Sequence, residues 1–545
     1  MGILALVEDR PTPKQVYNWR VYVCAAVASF ASCMIGYDSA FIGTTIALPS
    51  FVDEFHFNKM TADHLALVKE NIVSVYQAGA FFGSLGAFIT SYFIGRKWGL
   101  TFWSLIFCIG AAMTCAAQAP NLGLIIGGRV IAGLGVGGVS MITPIYISEL
   151  APPAIRGRLV GTYEMGWQVG GLVGFWISYG INKHIAPSHK QWVIPFAVQL
   201  IPAGLLFFGS LWLHESPRWL FSKNRREQAL KNLSWIRQLP TDHIYMVEEV
   251  ALVDAAISEQ ESGIGLGFWK PFKAVRQSRS IQWRLLLGTL LFMFQNGSGI
   301  NAINYYSPTV FKSIGIQGTN NSFLTTGIFG VVKTAITFLW LFVLIDRVGR
   351  RNLLMIGGAG GGTCMYIIGA YIKLAPFNTK NTHLSSGGVA AIFFFYLWTA
   401  FYTPTWNGTP WVLNSEMFDH NTRALGQASA AASNWFWNFL ISRFTSQMFL
   451  KMGKNGYGVY IFFASMMFIS VVFAFFTVPE TKGVPLERMD RLFSIRPVRK
   501  AHGIVIEETR AEEAEFRHEA DGAGLTAEKT RMSHVERATS YDEKV

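Results

Sequence analysis

Charged residues are scarce in this chain. Asp, Glu, Lys and Arg make up 15% of its 545 residues, against about 25% in soluble domains. The hydrophobic residues, 51% of the total, fall in repeated runs near the roughly twenty residues that cross a bilayer, which argues against a soluble fold. The net charge of +12 comes from Lys and Arg between these runs, a placement that favours control of membrane topology over nucleic-acid binding.

Cysteine is also rare, and all of it lies in apolar runs. The cysteines are Cys24, Cys33, Cys108, Cys115 and Cys364. Their spacing excludes a disulfide framework and a zinc site. A GxGxxG pattern at 133–138 lies in an apolar span with no strand before it, so it indicates close helix packing instead of nucleotide binding. We therefore expect no enzyme, no metal and no cofactor.

Acids and arginines occur at matching places in the two halves of the chain. They are Arg96, Glu149, Arg156 and Glu215 in the first half, and Asp346, Arg350, Glu416, Arg423 and Glu480 in the second. The step from Glu149 to Arg156 recurs from Glu416 to Arg423. This repetition indicates two versions of one unit. Two mostly apolar units predict two membrane-embedded halves around a central cavity, which is the architecture of a transporter.

The fold class predicted is an all-α membrane protein with twelve transmembrane helices in two pseudo-symmetric six-helix halves. The spans lie at about 20–48, 70–90, 98–118, 122–147, 160–182, 192–213, 284–311, 323–345, 352–373, 388–413, 424–449 and 457–478. The predicted domains are a cytoplasmic N-terminus at 1–19, the first half at 20–213, a cytoplasmic connector with short helices at 214–283, the second half at 284–478 and a cytoplasmic tail at 479–545. We expect the tail to be largely disordered after about 490.

Basic residues of the loops set the predicted orientation. Lys and Arg concentrate in the connector and in the loops on its side, so the positive-inside rule places both termini and the connector in the cytoplasm. No secretory cleavage pattern precedes the first apolar stretch, and we expect that stretch to remain as a helix.

The repeated charges lie where apolar spans end on the connector's side. One hypothesis is that acids and arginines of opposing helices pair when the cytoplasmic side is closed and separate when it opens. The alternative is that they anchor helix ends and hold the topology. The copies differ at one place, because Asp346 stands three residues before Gly349 whereas Tyr92 stands three before Gly95. We therefore expect the acid–arginine contacts of the first half to hold its cytoplasmic side closed less strongly.

Four charged residues lie deeper in the predicted spans: Asp38, Arg129, Glu164 and Lys333. Each costs a few kcal/mol if isolated at mid-depth, so pairing or a wet cavity is expected. Burial raises the pKa of an aspartate and a nearby arginine lowers it, so an Asp38 that alternates between Arg129 and a proton could couple transport to protons. The alternative is a fixed structural ion pair.

The seventh span carries a run of amides and aromatic residues. The run contains Gln295, Asn296, Asn301, Asn304 and Tyr305. Amides donate and accept hydrogen bonds and aromatic rings offer flat apolar faces, a combination that suits a ring bearing several hydroxyls. Ordinary hydrogen bonding between helices would explain one such amide but not four together.

Over residues 20–490 the chain resembles the sugar porters of the major facilitator superfamily. The matching motifs are GYD (36–38), GRVIAGLGVG (128–137), SELAPPAIRGRLVG (148–161), ESPRWL (215–220), SGINAINYYSP (298–308), DRVGRR (346–351) and PETKG (479–483). Within that family, the segments at 4–22, 36–45 and 295–308 resemble those of the fungal quinate permeases.

The resemblance implies a multi-pass, proton-coupled carrier of the plasma membrane that imports quinate, a hydroxylated cyclohexane carboxylate, by alternating access. In the family's proton symporters the coupling pair is an aspartate of the first span and an arginine of the fourth, which match Asp38 and Arg129. The chain departs from the hexose carriers at Glu164 and Asn296, where they have glutamines, and at Thr403, where hexose facilitators have a glutamate. These departures argue against a plain hexose as the substrate.

The predicted substrate-binding residues come from both halves. They are Glu164, Gln168, Gln295, Asn296, Asn301, Tyr305, Lys333, Trp411 and Asn438. We expect the amides of the seventh span to bind hydroxyls, Trp411 to cover a ring face, and Lys333 or Arg129 to neutralise the substrate's carboxylate. The expected partners are this small molecule and the lipid bilayer, with no nucleic acid, a monomeric chain and the proton as coupling ion.

Two alternatives stay open at this point. A proton-coupled hexose, pentose or inositol carrier would have the same fold. A nutrient sensor that does not transport is the other, but such sensors usually have a long cytoplasmic tail, and the tail here is short.

Overall fold

The computed structural model describes residues 12–152, 155–263, 265, 267–314, 316, 319–340, 348–374, 386–418, 422–482, 484 and 488–522. Within these residues the regular secondary structure is helical throughout.

Six long helices form the first half. They are α1 (Trp19–Thr45), α2 (Ala62–Phe93), α3 (Arg96–Cys115), α4 (Gly123–Leu150), α5 (Arg156–His184) and α6, in two segments (His189–Val198 and Leu200–Trp212). Side-chain caps stabilise the N-termini of α1 and α2. The Asn18 side chain accepts a hydrogen bond from the backbone N–H of Arg20, and the Thr61 side chain accepts one from the backbone N–H of His64. A Cβ added at Gly133 would lie 2.1 Å from a backbone oxygen of α2, so the glycine pattern of α4 serves close helix packing.

Six further helices form the second half. They are α7 (Arg279–Gly297 and Ile300–Ile314), α8 (Thr319–Leu339), α9 (Arg350–Leu374), α10 (Ser386–Tyr402, Thr403–Asn407 and Thr409–Glu416), α11 (Arg423–Lys451) and α12 (Tyr457–Thr477). α7 is interrupted at Ser298 and Gly299, and Gly299 has a φ of +91° that a glycine adopts without strain. α10 contains a π-helical turn at Thr403–Asn407. Such turns frequently mark functional sites.

Among the described residues, nine helices are long and apolar enough to cross a membrane. The other three long helices, α5, α7 and α11, are those that carry most of the predicted polar site residues. Their side chains lower the mean hydropathy without shortening the helices. Together the twelve helices correspond to the twelve predicted spans.

The connector forms four short helices beneath the first half: Pro217–Ser222, Arg226–Arg237, Ile244–Gly263 and Lys270–Gln277. Arg237 donates to the carbonyl of Leu150 at the end of α4, with 2.7 Å between nitrogen and oxygen. Asn18, before α1, donates to the carbonyl of Ile236 at 2.7 Å. We call this side of the molecule the connector side and the opposite side the far side.

The tail differs from the expectation of disorder after about 490. Two helices occur there, Met489–Ser494 and Val498–Gly522. They form because apolar residues of a largely charged sequence share one face and bury each other, as Met489, Leu492 and Val505 do. Residues 523–545 lie outside the described residues.

Candidate functional site

Asp38 of α1 and Arg129 of α4 form an ion pair inside the first half. Arg129 Nη1 lies 2.5 Å from Asp38 Oδ1, and both side chains are buried. Arg129 Nε also donates to the carbonyl of Ile72 in α2 at 3.1 Å. A buried charge requires such compensation. The structure therefore brings together the two residues predicted to form the coupling pair.

The ion pair is linked by contacts to the second half. The guanidinium of Arg129 lies 4.3 Å from the ring centre of Tyr76 in α2. Tyr76 in turn meets Trp435 of α11 edge to face, with ring centres 6.3 Å apart. Trp435 Nε1 also donates to Ser140 Oγ of α4 at 3.1 Å. The ion pair is thus separated from the interface between the halves by the ring of Tyr76.

Glu164 of α5 is held by amides from both halves. Its Oε1 accepts from Gln168 Nε2 of the same helix at 2.7 Å and from Asn407 Nδ2 of α10. No described residue donates to Oε2. Gln295 of α7 supports this arrangement, because its Nε2 donates to the carbonyls of Trp406 at 3.0 Å and Asn407 at 2.6 Å. The carbonyl of Trp406 lacks its usual helical donor, because residue 410 is a proline and has no backbone N–H.

Lys333 of α8 lines a small cavity between the halves, together with Trp167, Gln168, Phe175 and Asn304. The side chain is 6% exposed, and no hydrogen bond or ion pair joins its ammonium group to the described residues. The Glu164 carboxylate attracts it electrostatically, and no ion pair between the two is found among the described residues. The cavity of about 10 Å³ has room for about one water, so a ring-sized substrate requires the halves to move apart.

The other predicted amides form a chain of hydrogen bonds behind the cavity. Asn301 donates to Asn296, and Asn296 donates to Asn434 Oδ1 of α11 at 3.1 Å. Asn438 of α11 donates to the hydroxyl of Tyr305 at 3.4 Å. These side chains are buried. Side chains that already face each other across α7 and α11 can exchange these bonds for bonds to a polar ligand.

Trp411 lies apart from this cavity. Its ring packs on Phe292 with centres 4.7 Å apart, and it contacts apolar residues of the first half towards the connector side. Trp411 therefore forms part of the closure below the site in this conformation.

The halves meet on both sides of the site. On the far side, a Cβ added at Gly43 of α1 would lie 2.0 Å from the carbonyl oxygen of Tyr305 in α7, so the two backbones are in contact. On the connector side, Ala428 and Ala431 of α11 belong to the apolar cluster of the first half. The site is therefore enclosed on both sides in this conformation.

The repeated charges form two equivalent networks, one in each half. In the first, Arg96 makes a two-pronged ion pair with Glu149 at 2.9 and 3.0 Å. Glu215 accepts from the backbone nitrogen of Arg96 at 2.8 Å. Burial raises the pKa of the Glu215 carboxyl, and its backbone donors oppose that rise.

In the second network, Arg350 pairs with Glu416 at 2.9 Å and its backbone nitrogen donates to Glu480, also at 2.9 Å. Both described ion pairs therefore join helices of the same half. Arg423 Nη2 donates to the carbonyl of Phe418 at 3.4 Å, Arg156 begins α5, and Asp346 lies outside the described residues. The opening and closing of these charges across the halves stays a prediction.

Gly95→Ala is expected to destabilise the protein. Gly95 has a φ of +94°, and an added Cβ would lie 2.4 Å from the Glu215 carboxylate. With φ of +94° and ψ of −174°, Gly95 adopts a conformation that is almost restricted to glycine and costs an L-residue about 1–3 kcal/mol, so the purified variant should unfold at a lower temperature. Gly349→Ala should have a similar effect, because Gly349 has a φ of +90° and an added Cβ there meets Glu480 at 2.5 Å.

The matched control is Gly180→Ala, where an added Cβ has no neighbour within 4 Å. Unchanged thermal stability in both Gly95→Ala and Gly349→Ala would contradict the expected destabilisation, and a loss in only one of them would contradict the equivalence of the two networks.

Several residues of the site were not predicted from the sequence: Asn407, Asn434, and the pair Glu70 and Arg443. Glu70 Oε2 accepts from Arg443 Nη1 at 2.9 Å and joins α2 to α11 on the far side. All four are polar or charged residues within apolar spans, and this placement in the sequence could have identified them as candidate site residues. Their partners lie hundreds of residues away in sequence, so only the packing of the halves identifies the contacts.

Known proteins with similar sequences are transporters. The family model described as sugar (and other) transporter matches residues 24–493. A protein named probable quinate permease from Neosartorya fischeri is 65% identical over 528 residues, which cover 96% of this chain and 97% of that protein. A protein of the same name from Aspergillus niger is 63% identical over 546 residues, covering 100% of both chains.

Solved structures with a similar fold are also transporters. The proton:xylose symporter XylE bound to 6-bromo-6-deoxy-D-glucose has a TM-score of 0.71 at 27% identity, over 87% of this chain and 99% of that one. The inward-open xylose transporter XylE from E. coli has a TM-score of 0.68 at 26% identity, over 86% of this chain and 99% of that one.

Proposed function

The chain belongs to the sugar transporter family of the major facilitator superfamily, and from that premise we propose that it imports quinate or a related hydroxylated cyclic carboxylate together with protons. We place it in the plasma membrane as a multi-pass protein with both termini and the connector side cytoplasmic. The names of the relatives at 63–65% identity and the basic connector support this proposal.

The observation that carries the proposed substrate is Lys333. It is a buried cation at a cavity between the halves, without a hydrogen bond to the described residues, and close to amides that suit hydroxyls. An uncompensated buried charge is costly unless a ligand of opposite charge joins it. Arg129 is the weaker choice for the carboxylate, because it is already bonded to Asp38 and Ile72.

We assign the substrate's hydroxyls to the amides of α7 and α11 and to Glu164. Asn296, Asn301 and Asn438 can each donate and accept. Glu164 Oε2 faces no donor among the described residues and would accept a hydroxyl hydrogen. A ring with a carboxylate at Lys333 and hydroxyls towards these groups would bridge the two halves, so its binding would favour the enclosed state.

We assign the proton to Asp38. A protonated Asp38 no longer attracts Arg129 as strongly, so the guanidinium can shift against Tyr76 and the interface with Trp435. Protonation would then favour one arrangement of the halves and deprotonation the other, which is the requirement for coupled alternating access. The networks around Glu149 and Glu416 would hold the cytoplasmic helix ends during this motion.

Uptake of labelled quinate in a host that lacks its own carrier tests this function. We expect quinate uptake that increases as the external pH falls, because protons drive it, while labelled glucose is taken up weakly. Cells with the empty vector provide the background. Uptake of glucose but not quinate would assign the chain to the hexose carriers, and quinate uptake that is independent of pH would refute proton coupling.

A further inference from the structure

Glu70 of α2 closes the far side of the molecule by binding α11 of the other half. Its Oε2 accepts from Arg443 Nη1 at 2.9 Å, and its Oε1 accepts from the backbone nitrogen of Gln447 at 2.8 Å. The Glu70 side chain is 1% exposed and that of Arg443 is 30% exposed. Both carboxylate oxygens are thus occupied by the opposite half, so this contact must break when the far side opens.

Lys451 adds a further cation at this pair, and two more lysines lie towards the far ends of α2 and α7. Lys69 precedes Glu70 on α2, Lys451 lies two turns after Arg443 on α11, and Lys312 lies near the far end of α7. Lys451 attracts the Glu70 carboxylate, and the ammonium groups of Lys69 and Lys312 repel each other across the two halves. The pair therefore has an excess of positive charge around it.

Nearby acids of the loop between α1 and α2 are engaged elsewhere. Asp53 accepts from Asn58 Nδ2 at 2.6 Å. Glu54 accepts from Trp192 Nε1 at 2.8 Å. Glu70 is thus the carboxylate that the structure shows bonded to α11 where α2 and α11 meet.

We propose that Arg443, Lys69 and Lys312 form an outer capture site for the carboxylate of an anionic substrate. When the far side opens, Arg443 leaves Glu70 and presents a guanidinium, whose fork of N–H donors matches a carboxylate. When that side closes, Glu70 competes for Arg443 and displaces the substrate inwards to Lys333. This inference rests on the proposed function, because it requires an anion as the substrate.

A comparison of Arg443→Gln with Glu70→Gln tests the capture site. Both variants break the same contact between the halves. If the ion pair only held the far side closed, both variants would have the same effect. A capture site predicts opposite effects, because Arg443→Gln removes the ligand for the carboxylate and Glu70→Gln removes its competitor. For quinate uptake we expect kcat/KM to fall about tenfold in Arg443→Gln, within the range for electrostatic guidance, and to stay equal or rise in Glu70→Gln.

The ionic-strength dependence of uptake gives a second, independent measurement. Salt screens steering by exposed charges, so uptake of subsaturating quinate by the wild type should fall as salt rises. The double variant Lys69→Gln/Lys312→Gln should flatten this dependence and leave the final accumulation of quinate unchanged. Equal losses in Arg443→Gln and Glu70→Gln, or an unchanged salt dependence in the double variant, would overturn the capture site. A wild type that does not transport quinate would instead refute the proposed function.

Discussion

Asp38→Asn is expected to abolish the uphill accumulation of quinate and to leave downhill exchange in place. With one proton per substrate anion, each pH unit of gradient supports about tenfold accumulation, since a tenfold ratio equals one pH unit. Asparagine keeps the size of the side chain and an acceptor for Arg129 but carries no proton. The accumulation ratio should therefore fall to about one, measured in vesicles with an imposed pH gradient.

The controls separate coupling from folding. Asp38→Glu keeps a titratable carboxyl and should retain part of the accumulation. Exchange of labelled for unlabelled quinate without a gradient should persist in Asp38→Asn, and the amount of each variant in the membrane is measured alongside. Accumulation in Asp38→Asn at the wild-type ratio would rule out Asp38 as the proton carrier and leave the pair with Arg129 as a structural ion pair.

The long helices were predictable from the sequence because membrane crossing depends on local composition and length. The predicted spans include α5, α7 and α11, which are too polar to satisfy a criterion of length and apolarity alone. Interruption of several spans by Gly or Pro was predicted, but the break of α7 at Gly299 and the π-helical turn at Thr403–Asn407 were not located, because each depends on packing against neighbouring helices. The tail was expected to be disordered or loosely helical, and the bounds of its helices, Met489–Ser494 and Val498–Gly522, were not predicted because its few apolar residues lie in a charged sequence.

The sequence could predict which residues belong to the candidate site, but not which of them contact each other. Asp38, Glu164 and Lys333 are charged residues within apolar spans. Burying such a charge is energetically unfavourable, so its presence indicates a functional site. That Glu164 is bonded to Asn407 and not paired with Lys333 follows only from the juxtaposition of α5, α8 and α10. The same holds for the outer pair of Glu70 with Arg443, whose partners lie 373 residues apart.

Lys333→Gln is expected to weaken quinate binding at least about 30-fold, because removing one partner of a buried charge pair costs 2 kcal/mol or more. The sharper measurement compares quinate with its neutral carboxamide analogue. The wild type should prefer quinate strongly, whereas Lys333→Gln should bind the two with similar affinity, since only the pairing of charges distinguishes them. General damage to the site would weaken both compounds equally and leave the ratio unchanged.

Lys373→Gln is the matched control for that comparison. Lys373 is an exposed lysine at the far end of α9, next to the ring of Tyr457, and its loss should leave the preference for quinate intact. If Lys333→Gln kept its affinity for quinate while neutral sugars were still refused, the carboxylate would have to bind elsewhere. Arg129 would then be the next residue to test, and its release from Asp38 on protonation would make anion binding and proton binding a single event.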